Sequence, residues 1–135
     1  MTRRGLLAAA ALAALAGPSA AIAAETDKRK KKSGGASYLP IDTLTGATNR
    51  SGGRRGVLTV ECGLDVPDAG LRALADESMP RLRAAYLETV MTYAAGLPEG
   101  ATPNADFLAR AMQRQTDALL GRAGARLLLG AILVN

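Results

Sequence analysis

Residues 57–65 read VLTVECGLD, in which Leu58, Val60, Cys62 and Leu64 alternate with Thr59, Glu61, Gly63 and Asp65. Successive side chains of an extended strand point to opposite faces, so this alternation predicts a half-buried strand with its aliphatic set turned to a core. Cys62 falls on the aliphatic face, where burial suppresses the thiolate and the thiol acts as a small hydrophobe, not as a nucleophile. Upstream, Tyr38 to Thr48 (YLPIDTLTGAT) alternates apolar residues with threonine and reads as a partner strand. Asn49-Arg50-Ser51-Gly52-Gly53-Arg54-Arg55 supplies the turn between them, its glycines accepting positive φ at little cost. The arginines would suit a phosphate, but the loop lacks the lysine and the strand-loop-helix order of a P-loop, and an ordinary hairpin is the reading.

Beyond Val66-Pro67-Asp68 the period changes. Asp68 is placed to cap a short helix carrying Leu71, Leu74 and Ala75, and Pro80, tolerated in a first turn, follows Ser78 as the cap of a second helix. Met79, Leu82, Tyr86, Val90 and Tyr93 recur at three- and four-residue steps along it and form a core-facing stripe. Gly96-Leu97-Pro98-Glu99-Gly100 ends that helix. After Pro103-Asn104 a third carries Phe107, Leu108, Ala111, Met112 and Leu119 on one side and closes at Gly121. Ala125 to Val134 (ARLLLGAILV) is aliphatic on both faces, which fits either a centrally buried strand or a closing strand paired with Val57 to Asp65. The order β-β-α-α-α-β defines an α+β class, a small antiparallel or mixed three-stranded sheet with about three helices on one face. Residues 38–135 form the domain, and a chain of about 100 residues buries enough surface to fold alone, with thin margin.

Composition excludes several kinds of chemistry. The 135 residues contain no histidine and one cysteine, which removes Ser-His-Asp and Cys-His catalysis, an intramolecular disulfide and a multi-thiolate zinc site. No constellation names a cofactor, a metal or a catalytic residue, and the expectation is a non-enzyme. Asp76, Glu77 and Glu88 lie at helical spacing from Arg72, Arg81 and Arg83 and read as solvated surface pairs. No convergent polar residues mark a ligand site between sheet and helices.

The first 37 residues read as delivery and tether. Arg3 and Arg4 precede an uncharged run, Gly5 to Ala16, and Ala21-Ile22-Ala23 meets the small-x-small requirement of a signal peptidase, so residues 1–23 form an export signal with Ala21 and Ala23 at its cleavage site. Thr2-Arg3-Arg4-Gly5-Leu6-Leu7 resembles a twin-arginine signal, with delivery to the periplasm. If retained, the uncharged stretch to Ala24 would approach the roughly 20 residues of a membrane span and anchor the domain at the inner membrane, facing the periplasm. Residues 24–37 form a flexible basic linker holding Lys28, Arg29, Lys30, Lys31 and Lys32. Such a run flanking an apolar segment resists export of an unfolded chain, and a pathway that carries folded cargo is less sensitive to it. From Ser33 onward ten basic residues face ten acidic ones, so the excess charge of +5 belongs to the tail. The same run could attract an anionic membrane surface, whereas four aromatics scattered away from it offer no stacking platform for nucleic acid.

Gly53-Arg54-Arg55-Gly56-Val57-Leu58-Thr59-Val60, Leu64-Asp65-Val66-Pro67-Asp68, Met79-Pro80-Arg81-Leu82-Arg83-Ala84-Ala85-Tyr86 and the closing strand Leu127 to Val134 together resemble the periplasmic domain of the flagellar basal-body protein FliL. The resemblance spans essentially residues 38–135. It implies a stomatin-like α+β domain that works by assembling with itself or around a protein partner of the cell envelope, in that family the flagellar stator, without catalysis or cofactor. Members of the family keep a transmembrane helix, whereas the first segment here reads as cleavable, which shifts the expectation to a FliL-like domain released into the periplasm. The competing class is a ligand-binding or lipid-surface module using Lys28 to Lys32.

Overall fold

A computed structural model of the chain describes residues 35–135. The signal residues Arg3, Arg4, Ala21 and Ala23 and the basic run Lys28 to Lys32 lie outside the described residues. Strands β1 (Tyr38–Asn49) and β2 (Arg55–Asp65) are followed by helices α1 (Ala69–Glu77), α2 (Met79–Gly96) and α3 (Ala105–Leu120) and by strand β3 (Arg126–Val134). The sheet is antiparallel throughout in the order β1-β2-β3. This is the α+β order expected from the sequence.

The period of two in β2 sorts its residues as expected: Leu58, Val60, Cys62 and Leu64 face the helices and are buried. Leu39, Ile41 and Leu44 of β1 and Leu127, Leu129 and Ile132 of β3 extend that face on either side. Each flanking strand carries one extra residue opposite β2 at the same place. The register of β1 shifts between Ile41 and Leu44, that of β3 between Leu129 and Ile132, and both irregularities lie opposite Glu61. Bulges of this kind sharpen local twist.

Capping and stop residues set the helices. Asp68 accepts the Leu71 backbone N–H at 2.8 Å, and that bond, helped by the charge of Arg122 with an N–H at 2.9 Å, holds its carboxyl below the ordinary range. Asn104 caps α3 by accepting the Phe107 N–H at 3.0 Å, and Gly121 ends it at φ 77°. Ser78 stands between α1 and α2 but makes no side-chain cap, contrary to expectation. Its backbone, at φ −88° and ψ 2°, is outside the extended region of an N-cap, Pro80 in the first turn of α2 has no N–H to be capped, and the Arg81 N–H donates to the Ser78 carbonyl at 3.0 Å.

Leu82, Tyr86, Val90 and Ala94 of α2 and Leu108, Met112, Thr116 and Leu120 of α3 are buried. Tyr86 lies wholly inside. The Thr116 hydroxyl donates to the Met112 carbonyl at 2.8 Å, so the Tyr86 hydroxyl donates to Thr116, and this bond joins the two helices within the core. Burial pushes the Tyr86 phenol up to about 12 and the Cys62 thiol up to about 11. Phe107, expected on the buried side of α3, is 47% exposed, because Leu108 and Thr116 take the core-facing direction. The expected surface pairs along the helices are replaced by longer-range bonds: Arg83 pairs with Asp42 of β1 at 3.6 Å, and Arg72 donates to the Val66 carbonyl at 2.9 Å.

Helix α2 lies close on β1 at one point. A Cβ at Gly46 would stand 2.8 Å from the Ala94 Cβ and 3.0 Å from the Val90 carbonyl oxygen, distances only glycine avoids. The loop after α2 is fastened to the hairpin tip, where the Ser51 N–H donates to Glu99 at 3.0 Å and its hydroxyl donates to the same carboxylate. These bonds hold the Glu99 carboxyl below its ordinary range.

Candidate interaction surface

Of the two places its sequence allowed, β3 takes that of the closing strand paired with residues 57–65, not the centre of the sheet. It is an edge, paired with β2 alone among the described residues. Its helix-facing side loses cover along its length: Leu127 is buried, Leu129 and Ile132 are half-buried, and Val134 is 40% exposed. On the other face Leu133, opposite Thr59, is 56% exposed, and Val57, diagonally across the ladder, 43%. The aliphatic character that reads as burial in the sequence is therefore largely open to solvent.

The backbone of β3 can be followed group by group. Asn135 and Val57 exchange both hydrogen bonds, at 3.0 and 3.2 Å. In an antiparallel ladder alternate residues face the partner strand, so Leu133 faces β2 while Val134 and Ile132 point their N–H and C=O groups away. On the far side of the bulge the same alternation turns Leu127 and Leu129 outward. Leu127 and its neighbourhood are satisfied by a side chain: the Leu127 N–H donates to Gln113 Oε1 at 2.8 Å, and Gln113 Nε2 donates to the Ala125 carbonyl at 2.8 Å. One amide of α3 thus imitates one residue of an added strand. Past it, no described residue pairs with the outward groups of Leu129, Ile132 and Val134.

Nothing in this stretch discourages pairing. From Leu127 to Val134 there is no charge and no proline, the two devices by which edges are commonly blunted. Edge N–H and C=O groups flanked by exposed aliphatics can accept an extended segment of another chain, with backbone bonds supplying affinity and alternate side chains supplying selectivity. The sequence announced the aliphatic content of this strand and its pairing with residues 57–65 as one of two places, but not how much of it stands open to solvent.

Other groups of chemical interest are placed as follows. Cys62 is buried between Ile41 and Leu129 in one rung of the sheet, its thiol far from the reactive range. Asp76 and Glu77 lie on α1, and Glu88 lies on α2, exposed. Among the described residues no three metal-ligating side chains come together, and no helix is long and apolar enough to cross a membrane. What the geometry defines is an α+β domain with its helices on one face of a three-stranded sheet and an uncharged, proline-free stretch along the β3 edge. No family model matches the sequence, and no curated protein matches it.

Proposed function

We propose that the chain is an exported, non-catalytic assembly domain of the cell envelope that holds a protein partner by strand addition at β3. The observation that supports it best is the uncharged edge from Leu129 to Val134, whose outward backbone groups have no partner among the described residues. The resemblance to the periplasmic domain of FliL supports the same class of role, and the signal at Arg3, Arg4, Ala21 and Ala23 supports periplasmic delivery. Lys28 to Lys32 serve as the tether between signal and domain.

Two measurements test this. A photo-crosslinking residue at position 133, introduced in the native cells, is expected to trap a discrete partner, while the same residue at Arg81 on α2 traps none. Val134→Pro removes an outward N–H that β2 does not use and is expected to abolish the crosslink without unfolding the domain. A crosslink that survives Val134→Pro would rule out strand addition. Export is read from the intact mass of the native protein: a soluble species beginning near Ala24, lost when Arg3 and Arg4 are both changed to Lys, is the expected outcome. A full-length species in the membrane fraction would instead make the first segment an anchor.

A further inference from the structure

Between α2 and α3 lies an open cleft of about 580 Å³, a volume suited to a small molecule or a single large side chain. Its aromatic wall is Tyr93 and Phe107, whose rings stack at 5.7 Å between centroids with 27° between planes. The Asn104 backbone N–H donates to the Tyr93 hydroxyl at 2.7 Å and fixes that ring, while Phe107 is 47% exposed. The polar lining has one bias. Glu88 is the only charged residue among those lining the cleft, and Gln115 Oε1 is shielded from solvent yet accepts no hydrogen bond. That oxygen lies inside the wall, and a turn about the terminal torsion brings it to the cleft, where it can accept from an incoming donor.

A carboxylate, an unpaired amide oxygen and an aromatic wall share one complement: a positive charge with several N–H donors on an apolar stem. Cations are drawn to aromatic faces, and a planar guanidinium can stack on a ring while its donors reach two separate acceptors, which a compact ammonium does less well. We propose that the α2–α3 cleft binds an alkylguanidinium group, its plane against Phe107 and Tyr93 and its N–H groups shared between the Glu88 carboxylate and Gln115 Oε1 turned outward about its terminal torsion. Such a group comes either as a free small cation or as an arginine side chain of another protein. The site is independent of the β3 edge and stands or falls apart from it.

The test is a titration of the full-length protein, followed by amide chemical shifts, with N-butylguanidinium and with N-butylurea, its neutral planar counterpart. The expected result is saturable shifts at Thr92, Tyr93, Phe107 and Gln115 with the guanidinium, and binding about fivefold or more weaker with the urea. Exposed Glu88→Gln should weaken guanidinium binding by a similar factor, and Gln115→Leu should weaken it while leaving the thermal midpoint unchanged or raised. Equal binding of the two probes, unchanged affinity in Glu88→Gln, or no saturable shift in the cleft would each overturn the proposal. Acetyl-Leu-Arg-Leu-amide separates the sources: tighter binding than butylguanidinium identifies a protein arginine, and exclusion of the peptide identifies a small cation.

Discussion

β1 and β3 are both edges of one three-stranded sheet, and they are finished in opposite ways. β1 carries Pro40, and by the alternation of its ladder with β2 the ring nitrogen faces the free edge, where it offers no donor. Two residues on, Asp42 places a charge held by Arg83. α2 lies hard against its inner face at Gly46. β3 has none of these features: its charge ends at Arg126, its inner face thins out toward Val134, and only Gln113 covers part of its backbone. The difference is what supports the proposal that β3, and not β1, takes up a partner.

The comparison breaks most severely if β1 loses its helix. Gly46→Val would drive a branched side chain into Ala94 and the Val90 carbonyl, and we expect a loss of about 3 kcal/mol, read as a lower urea midpoint by circular dichroism. Leu133→Ala, which also changes the side chain by three carbons but on open β3, should move that midpoint far less.

High pH acts on the rung that joins the two edges. Cys62 sits between Ile41 and Leu129, its thiol raised from an ordinary 9.0 to about 11, and Tyr86 is raised from 10.0 to about 12. Both groups ionise first in the unfolded chain, so their contribution is intact below about pH 9 and is lost as pH rises toward 11 and 12. Roughly 3 kcal/mol should disappear between pH 9 and pH 11, and Cys62→Ala should flatten that slope by more than half.

Gln113→Ala sharpens the contrast from the other side. It strips the Leu127 N–H and the Ala125 carbonyl of their partner, and we expect a loss of about 1 kcal/mol together with faster amide exchange at Leu127. The smallest effect on stability belongs to Leu133→Lys, within about 0.5 kcal/mol, because that side chain is mostly solvated already. A lysine there should nonetheless weaken partner capture at the edge, measured by the crosslinking yield from a neighbouring position.

The sequence made faces legible and neighbours illegible. β2 was readable because a period of two reports which residues point together, and Leu82, Tyr86 and Val90 were readable because helical spacing does the same. Asp68 and Gly121 act locally, so their roles as cap and stop could be read in place. Thr116 was missed because a hydroxyl in the core is explained only by Tyr86, thirty residues away. Phe107 was misread because neighbouring apolar positions on a helix do not say which of them reaches the sheet. Gly46 depends on a helix crossing that no local pattern encodes. For β3 the sequence left two places open, one of them the observed pairing with residues 57–65, since an aliphatic strand looks the same at the centre of a sheet as at its border and pairing order is a long-range property. The basic run and the signal residues singled out in the sequence lie outside the described residues.

Gln113 has a consequence for what the edge could admit. Because its amide already fills the place beside residues 125–127, an arriving segment cannot slide along the whole strand. It must begin past that stop, which leaves about six residues, Leu129 to Val134, or about 20 Å of extended chain. If β3 takes up a strand as proposed, that side chain acts as a ruler, fixing both the length and the phase of the added segment.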